Sequence, residues 1–375
     1  MKEYALFVAS ALASAVVNTL GALRGRGRGP ERILVVKLDH VGDLILATPA
    51  LRALRDANPD AVIDVLVSPE SAFVLAGNPA VTRTIVYDSP LFHRGPAPNP
   101  PSPPLRDVVR DRYTAIVELR GDWSTLALPF RTGAARRVDR GTVRLRDWLA
   151  RHVPWSDDDR PPLHEVGVNL EIVGSLLGGR RVDPNRAHVE IYSSAEARES
   201  ALARLRSAGG DPERPIVCIH PGASRPAKAW SAERFAAVAD WIPGHYHAQV
   251  VFLGSKAEKE TEAAVRAATK GRENIWLTGE LTLDEVAALL GIAKLFLGND
   301  GGPAHLAAAA GTSSVVLFGP TDPERFGPWS ERAITLRRGV RPGKCRVNDI
   351  EVDQVTSAIA SLLDMPARAA ELRSR

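Results

Sequence analysis

Ile33-Leu34-Val35-Val36-Lys37-Leu38-Asp39-His40-Val41-Gly42-Asp43 is the stretch that decides the fold. Its first half is a β-branched apolar run with no polar alternation, the pattern of a strand buried on both faces of a parallel sheet. The run ends in a polar turn, and residues 44–57 then carry apolar side chains at helical spacing, which predicts one helix. Strand, turn and helix make the first half of a βαβ unit. The same unit recurs outward, with short apolar runs at residues 62–67, 84–87 and 115–119. It restarts at 216–219 and continues at 249–253, 274–277, 295–297 and 314–318. These runs predict an α/β fold of two doubly wound halves.

The length agrees. A chain of 375 residues, 45% hydrophobic and 25% charged, exceeds what one hydrophobic core usually organises and has the composition of an ordinary folded protein. Between the halves lies a charged, Pro- and Gly-containing stretch with an expected short strand at 188–191 and a polar helix at 194–208. The expected division is an N-terminal apolar helix at 1–30, one domain at 31–180, a linker region at 181–212, and a second domain with a C-terminal helix at 213–375. Residues 90–104 hold seven prolines in 15 residues and read as an extended surface loop.

The net charge of +4 is small for this length and does not imply a nucleic-acid partner. Two cysteines, Cys218 and Cys345, exclude a disulfide framework and a four-cysteine zinc site, which fits a reducing, cytoplasmic setting. Residues 4–23 lack any charged side chain and are followed by Arg24, Arg26 and Arg28. The stretch is long enough to span a bilayer, but it is rich in Ala and Ser and includes Asn18 and Thr19. An interfacial helix, a membrane anchor and a helix packed on the fold all remain open, and contact with the inner-membrane surface is one expectation.

Ligands of open parallel sheets bind beyond the carboxyl ends of the strands, so Asp43 either projects into such a crevice or caps the following helix. At the start of the second half, His220-Pro221-Gly222-Ala223-Ser224-Arg225, with Lys228 and Trp230 close behind, is either a diphosphate-binding turn or a loop with surface cations. The sharpest motif is Gly298-Asn299-Asp300-Gly301-Gly302-Pro303-Ala304-His305. Its glycines admit close approach to the backbone, Pro303 suits a first helical turn, and the helix end attracts an anion. A turn needing positive φ would also explain the glycines, but not Asp300 and His305. Phe318-Gly319-Pro320-Thr321-Asp322-Pro323 adds a third loop of the same kind. Leu281 and Glu258 stand in intervening loops as candidate walls for a base and a ribose.

Other signals carry less. Gly25-Arg26-Gly27-Arg28-Gly29 precedes the first strand, the wrong place for a dinucleotide fingerprint. Asp157-Asp158-Asp159 formally satisfies a metal-binding aspartate pair but sits in a polar, Pro-flanked loop, and His245 and His247 beside Pro243-Gly244 read as loop residues, so no metal site is expected.

These motifs, taken in order, resemble glycosyltransferase family nine, the ADP-heptose:lipopolysaccharide heptosyltransferases. The resemblance rests on residues 33–37 with Val41-Gly42-Asp43 and Thr48-Pro49-Ala50-Leu51, on His220-Pro221-Gly222 with Lys228-Ala229-Trp230, and on the loops at 299–305 and 318–323. It implies an α/β fold of two facing Rossmann-like doubly wound domains of the GT-B type, the acceptor on the first and the nucleotide sugar on the second, with no cofactor. Asp43 matches the family's general base and Lys228 its phosphate-contacting lysine. Ser224, Asp300, Gly301, Gly302 and His305 match donor-binding positions, Leu281 an adenine contact and Glu258 a ribose contact. The sequence departs from the pattern at Ala223, where some members carry threonine. It departs again at Glu118-Leu119-Arg120-Gly121, which replaces a more usual Asp-x-Gln-Gly.

Seven arginines fall within residues 131–151. With Arg120, the pair Arg136 and Arg137 are candidates to grip an anionic glycan or glycolipid acceptor, because guanidinium matches phosphate in two-point geometry; a solvated basic face is the alternative. The implied reaction is metal-independent, inverting transfer of a heptose from ADP-heptose. A nucleotide-sugar epimerase on a similar scaffold and a non-catalytic nucleotide-sugar-binding module are the rival readings.

Overall fold

The computed structural model describes residues 12–13, 15–20, 31–89, 104–120, 125, 128–139, 164–180, 182–271, 273–339 and 345–364. The glycine-arginine stretch at 25–29, most of the proline-rich loop, Gly121, Arg140, Arg144, Arg146, Arg151 and Asp157 to Asp159 lie outside these residues. The chain divides into two compact units, Met1–Ala187 and His188–Arg375.

Unit 1 is built on a parallel sheet of β1 (Arg32–Lys37), β2 (Val62–Val67), β3 (Arg83–Val86), β4 (Ala115–Arg120) and β5 (Arg136–Asp139), in the order β3-β2-β1-β4-β5. The central strand β1 is buried from Ile33 to Lys37, as its unbroken apolar run requires. Strand order reverses between β1 and β4, so the loops leaving these two strands flank the switch point at which open α/β sheets receive ligands.

The single helix expected at 44–57 is two helices, Val41–Ile45 and Thr48–Ala57. Pro49 explains the break, because it has no N–H to give the carbonyl of Ile45. The Thr48 hydroxyl donates to that carbonyl instead, at 2.8 Å. The short first helix is thereby freed to carry Asp43 on its own axis at the end of β1.

Unit 2 holds a second parallel sheet: β6 (Ile216–His220), β7 (Gln249–Phe252), β8 (Ile275–Trp276), β9 (Leu295–Asn299), β10 (Ser313–Phe318) and β11 (Ala333–Arg337), in the order β11-β10-β9-β6-β7-β8. Read from its other edge, this is the order of the first sheet with one strand added, and its switch point lies between β6 and β9. Val217, Ile219, Phe252, Leu297 and Leu317 form the core with Phe235 and Ile359 from the flanking helices.

Residues 181–212 are shared between the units. The helix Ala195–Ser207, whose cap Ser194 accepts from the Ala197 N–H at 3.0 Å, packs on the unit 2 helix Leu283–Leu290. Residues 188–191 pair with no strand among the described residues. Two strands were not foreseen, β5 and β11; both are short edge strands with charged or half-buried residues. His245 also departs from expectation, because the helix Ala232–Tyr246 runs through Pro243 and the imidazole stacks on Trp241 with ring centroids 4.3 Å apart.

At the N-terminus, Val17 is buried, and the Asn18 side-chain amide donates to the Arg137 carbonyl at 2.9 Å and accepts from the Arg137 N–H at 2.8 Å. Asn18 thus occupies the free edge of β5 as a strand would. Among the described residues no helix is long and apolar enough to cross a membrane.

Candidate active site

In unit 1 the strand ends at the switch point collect four charges. Lys37, the last residue of β1, is 1% exposed, and its ammonium lies 3.3 Å from Oδ2 of the equally buried Asp39. Arg120, at the end of β4, reaches the same oxygen at 3.3 Å. Oδ1 of Asp39 accepts the His40 N–H at 3.0 Å. Burial alone would raise the Asp39 carboxyl, but Lys37, Arg120 and the His40 N–H outweigh it and hold Asp39 below the ordinary aspartate range.

Asp43 stands one helical turn further on. It does not cap its helix: the N-cap is His40, and no side chain makes the capping hydrogen bond. Its carboxyl instead shares a side-chain hydrogen bond with Asp39. Burial first, and the Asp39 charge second, push Asp43 up to about 6 against the pull of Lys37 and Arg120. A carboxylate poised there is ionised at neutral pH yet far more basic than an ordinary aspartate, the property a general base needs.

In unit 2 the equivalent strand ends present a different chemistry. Lys228, in the turn Pro226–Lys228 after β6, lies 2.5 Å from Oδ2 of Asp300, which directly follows β9. The ion pair spans the switch point. Asn299, at the end of β9, stitches the same loops together: its amide donates to the carbonyls of Pro221 (2.9 Å) and Gly222 (3.1 Å) and accepts from the Trp230 N–H at 3.1 Å.

The helix Gly302–Ala309 begins here with no side-chain cap. Its first turn therefore presents main-chain donors and the positive end of the helix dipole beside Lys228 and Asp300. Gly301 has φ 178°, extended backbone open to any residue, so its lack of a side chain is not a conformational need. A Cβ there would meet nothing closer than 3.9 Å. Glycine at this position keeps a space clear in front of the helix. His305 is buried in the first turn.

Glu258 lies against the His220-Pro221-Gly222 turn, 3.4 Å from His220 Nε2, and a Cβ on Gly222 would collide with its Oε1 at 1.7 Å. Burial would raise Glu258, but His220 and the Ser255 N–H and hydroxyl bring it down to about 2, a carboxylate fixed as an acceptor. Ser224 is exposed in the turn before Lys228, and Leu281 is half-buried in the loop before helix Leu283–Leu290. Lys228, Asp300, Gly301, Gly302 and His305 are brought together, with Ser224 on the loop that carries Lys228 and Glu258 on the segment after β7.

Comparison with known proteins decides the class. The model of glycosyltransferase family 9 (heptosyltransferase) matches residues 105–355. The chain belongs to glycosyltransferase family 9. Lipopolysaccharide heptosyltransferase 3 of Escherichia coli is 28% identical over 312 residues, 80% of this chain and 86% of that protein. The crystal structure of a family 9 glycosyltransferase from Veillonella parvula DSM 2008 superposes with a TM-score of 0.73 at 25% identity, covering 90% of this chain and 98% of that one. The E. coli ADP-heptose lipopolysaccharide heptosyltransferase II does so with a TM-score of 0.67 at 25% identity, over 88% and 98%. The fold is of the GT-B class, and the chain is a glycosyltransferase.

Two arginines require correction. Arg137 is 0% exposed and ion-paired with Glu118 and Asp139, so it holds β4 to β5 and offers no fork to a solvated acceptor. Arg136 pairs with Glu31 at the start of β5, at the opposite end of the strand from the switch point. Arg120 alone of the three lies with Asp43. Conversely, the roles of Lys37, Asp39 and Asn299 were not foreseen. A signal existed for the first two, since residues i and i+2 of an extended chain share one side and an alternating Lys and Asp at a strand end is an ion pair in waiting.

Proposed function

We propose that this glycosyltransferase moves a heptose from ADP-heptose to a lipopolysaccharide-type acceptor, with inversion and without a bound metal. The names of the relatives support the sugar and the acceptor. The observation that carries the chemistry is the Asp43 carboxyl at the end of β1, raised to about 6 beside an ionised Asp39.

In this reading Asp43 takes the proton of the acceptor hydroxyl as its oxygen bonds to the anomeric carbon. The bond from that carbon to the β-phosphate oxygen breaks, and its electron pair leaves on the diphosphate. A single displacement from the opposite face inverts the anomeric configuration. General base assistance of this kind is worth ~10²- to 10⁴-fold. Lys228 and the uncapped head of helix Gly302–Ala309 stabilise the departing charge, the task a divalent ion performs elsewhere. Glu258 accepts from the ribose, Ser224 donates to a phosphate oxygen, Leu281 packs on the adenine, and Arg120 offers its half-exposed guanidinium to an anionic acceptor.

The membrane surface is the proposed setting of a cytoplasmic enzyme. Leu12, Val16 and Leu20 recur every fourth residue and are exposed, while Val17 between them is buried, so the N-terminal helix turns one apolar stripe outward. Arg24, Arg26 and Arg28 follow it in sequence, the composition that favours anionic headgroups.

The test is to incubate the purified chain with ADP-heptose and a heptose-deficient lipopolysaccharide core, with and without a chelator. Glycosidic transfer with inverted configuration and undiminished rate in chelator is expected. Loss of activity that a divalent ion restores overturns the metal-independent mechanism, and isomerised donor without transfer favours the epimerase.

A further inference from the structure

Asp39 has no part in the mechanism so far, yet it is the most heavily tied carboxylate of the strand-end cluster. We propose that Asp39 is a positioning residue for the Asp43 general base, a fixed negative charge and hydrogen-bond partner pinned by Lys37 and Arg120 against the Asp43 carboxyl. The proposal rests on the reading of Asp43 as base.

The geometry makes the two carboxylates unequal. Oδ2 of Asp39 receives Lys37 and Arg120, each at 3.3 Å, and Oδ1 receives the His40 main chain at 3.0 Å. Every one of these favours the ionised form. Asp43 is left with a hydrogen bond to Asp39, which needs a proton on one carboxyl, and the cations that saturate Asp39 leave that proton with Asp43. The arrangement is a dyad with assigned roles: one member permanently charged, the other taking and releasing a proton.

Among the described residues, the charges that act most on Asp43 come from three elements. Lys37 comes from β1, Asp39 from the turn and Arg120 from β4. His40 is engaged with Glu70 at 2.8 Å. The turn Ala72–Leu75, which packs on the Asp43 helix, contributes no titratable side chain. Two substitutions therefore push in opposite directions. Removing the Asp39 charge relieves repulsion and leaves Lys37 and Arg120 to favour the Asp43 carboxylate. Removing Arg120 takes away attraction and does the reverse.

The test uses the full chain with ¹³C-carboxyl aspartate, and the Asp43 resonance is identified by its loss in Asp43→Asn. Its titration midpoint is followed in wild type, Asp39→Asn and Arg120→Gln, alongside the pH profile of kcat/KM with ADP-heptose and a lipopolysaccharide core acceptor. The midpoint and the acidic limb are expected to move down together by about one unit in Asp39→Asn and up in Arg120→Gln. Both staying at the wild-type position overturns the proposal, as a merely structural Asp39 would leave them. If Asp39→Asn fails to fold around the buried Lys37, Asp39→Glu, which keeps the charge but moves it by one methylene, is read instead: a displaced midpoint and acidic limb are expected, and both staying at the wild-type position overturns the proposal. Full turnover by Asp43→Asn is a separate result: it removes the base itself and leaves the titration standing or falling on its own.

Discussion

The two units carry the same sheet and use its switch point differently. In unit 1 the ends of β1 and β4 gather two cations around two carboxylates, and one carboxylate is left short of compensation. In unit 2 the ends of β6 and β9 pair one cation with one carboxylate at 2.5 Å in front of an uncapped helix. The first arrangement stores basicity; the second presents a positive helix end and a lysine that a diphosphate can recruit. Strand order places a site but does not choose its chemistry, which the two or three residues after each strand decide.

The largest effect should come from the unit 1 carboxylate. Asp43→Asn is expected to lower turnover at least ~10²-fold in a steady-state transfer assay, because the amide keeps the shape and loses the base. Next comes the unit 2 cation. Lys228→Ala should weaken ADP binding ~10- to 100-fold by calorimetry, the range of a charge-assisted contact, with a smaller effect on the rate of bound substrate. Equal affinity would break the assignment of phosphate to this unit.

Asn299→Ala sharpens the comparison by removing the neutral amide stitch between β6 and β9, where unit 1 joins β1 and β4 through the charged Arg120–Asp39 contact. It strips partners from the buried Trp230 N–H and from two carbonyls, at a cost of ~1–3 kcal/mol that thermal unfolding would register. The smallest expected effect is on stability. Because folding raises the Asp43 pKa from 3.8 to about 6, ionising it opposes the folded state, and that penalty develops as pH rises through this window. Asp43→Asn should therefore raise the thermal midpoint by on the order of 2 °C at pH 8 and by nothing at pH 3. An equal gain at both pH values would contradict the raised pKa.

Much of this was legible in the sequence, for reasons the structure makes specific. Apolar runs such as 33–38 and 62–67 mark strands buried on both faces, as the parallel sheets of α/β folds require, and the motif order pointed to the family. Edge strands β5 and β11 escaped because one side of an edge strand need not be apolar. Arg137 was misread because its meaning depends on Glu118, 19 residues away on the neighbouring strand. Charge counted along a chain cannot tell a buried ion pair from a basic face. Asp39 escaped for a related reason: only the burial of Lys37 turns an ordinary turn aspartate into the fixed member of a dyad.

The division of labour is tested most directly by titrating ADP calorimetrically into wild type and Asp43→Asn under identical conditions. Indistinguishable affinities are expected, since the nucleotide is assigned wholly to the strand ends of unit 2. A severalfold loss of affinity in the variant would contradict that division and make Asp43 part of the donor site.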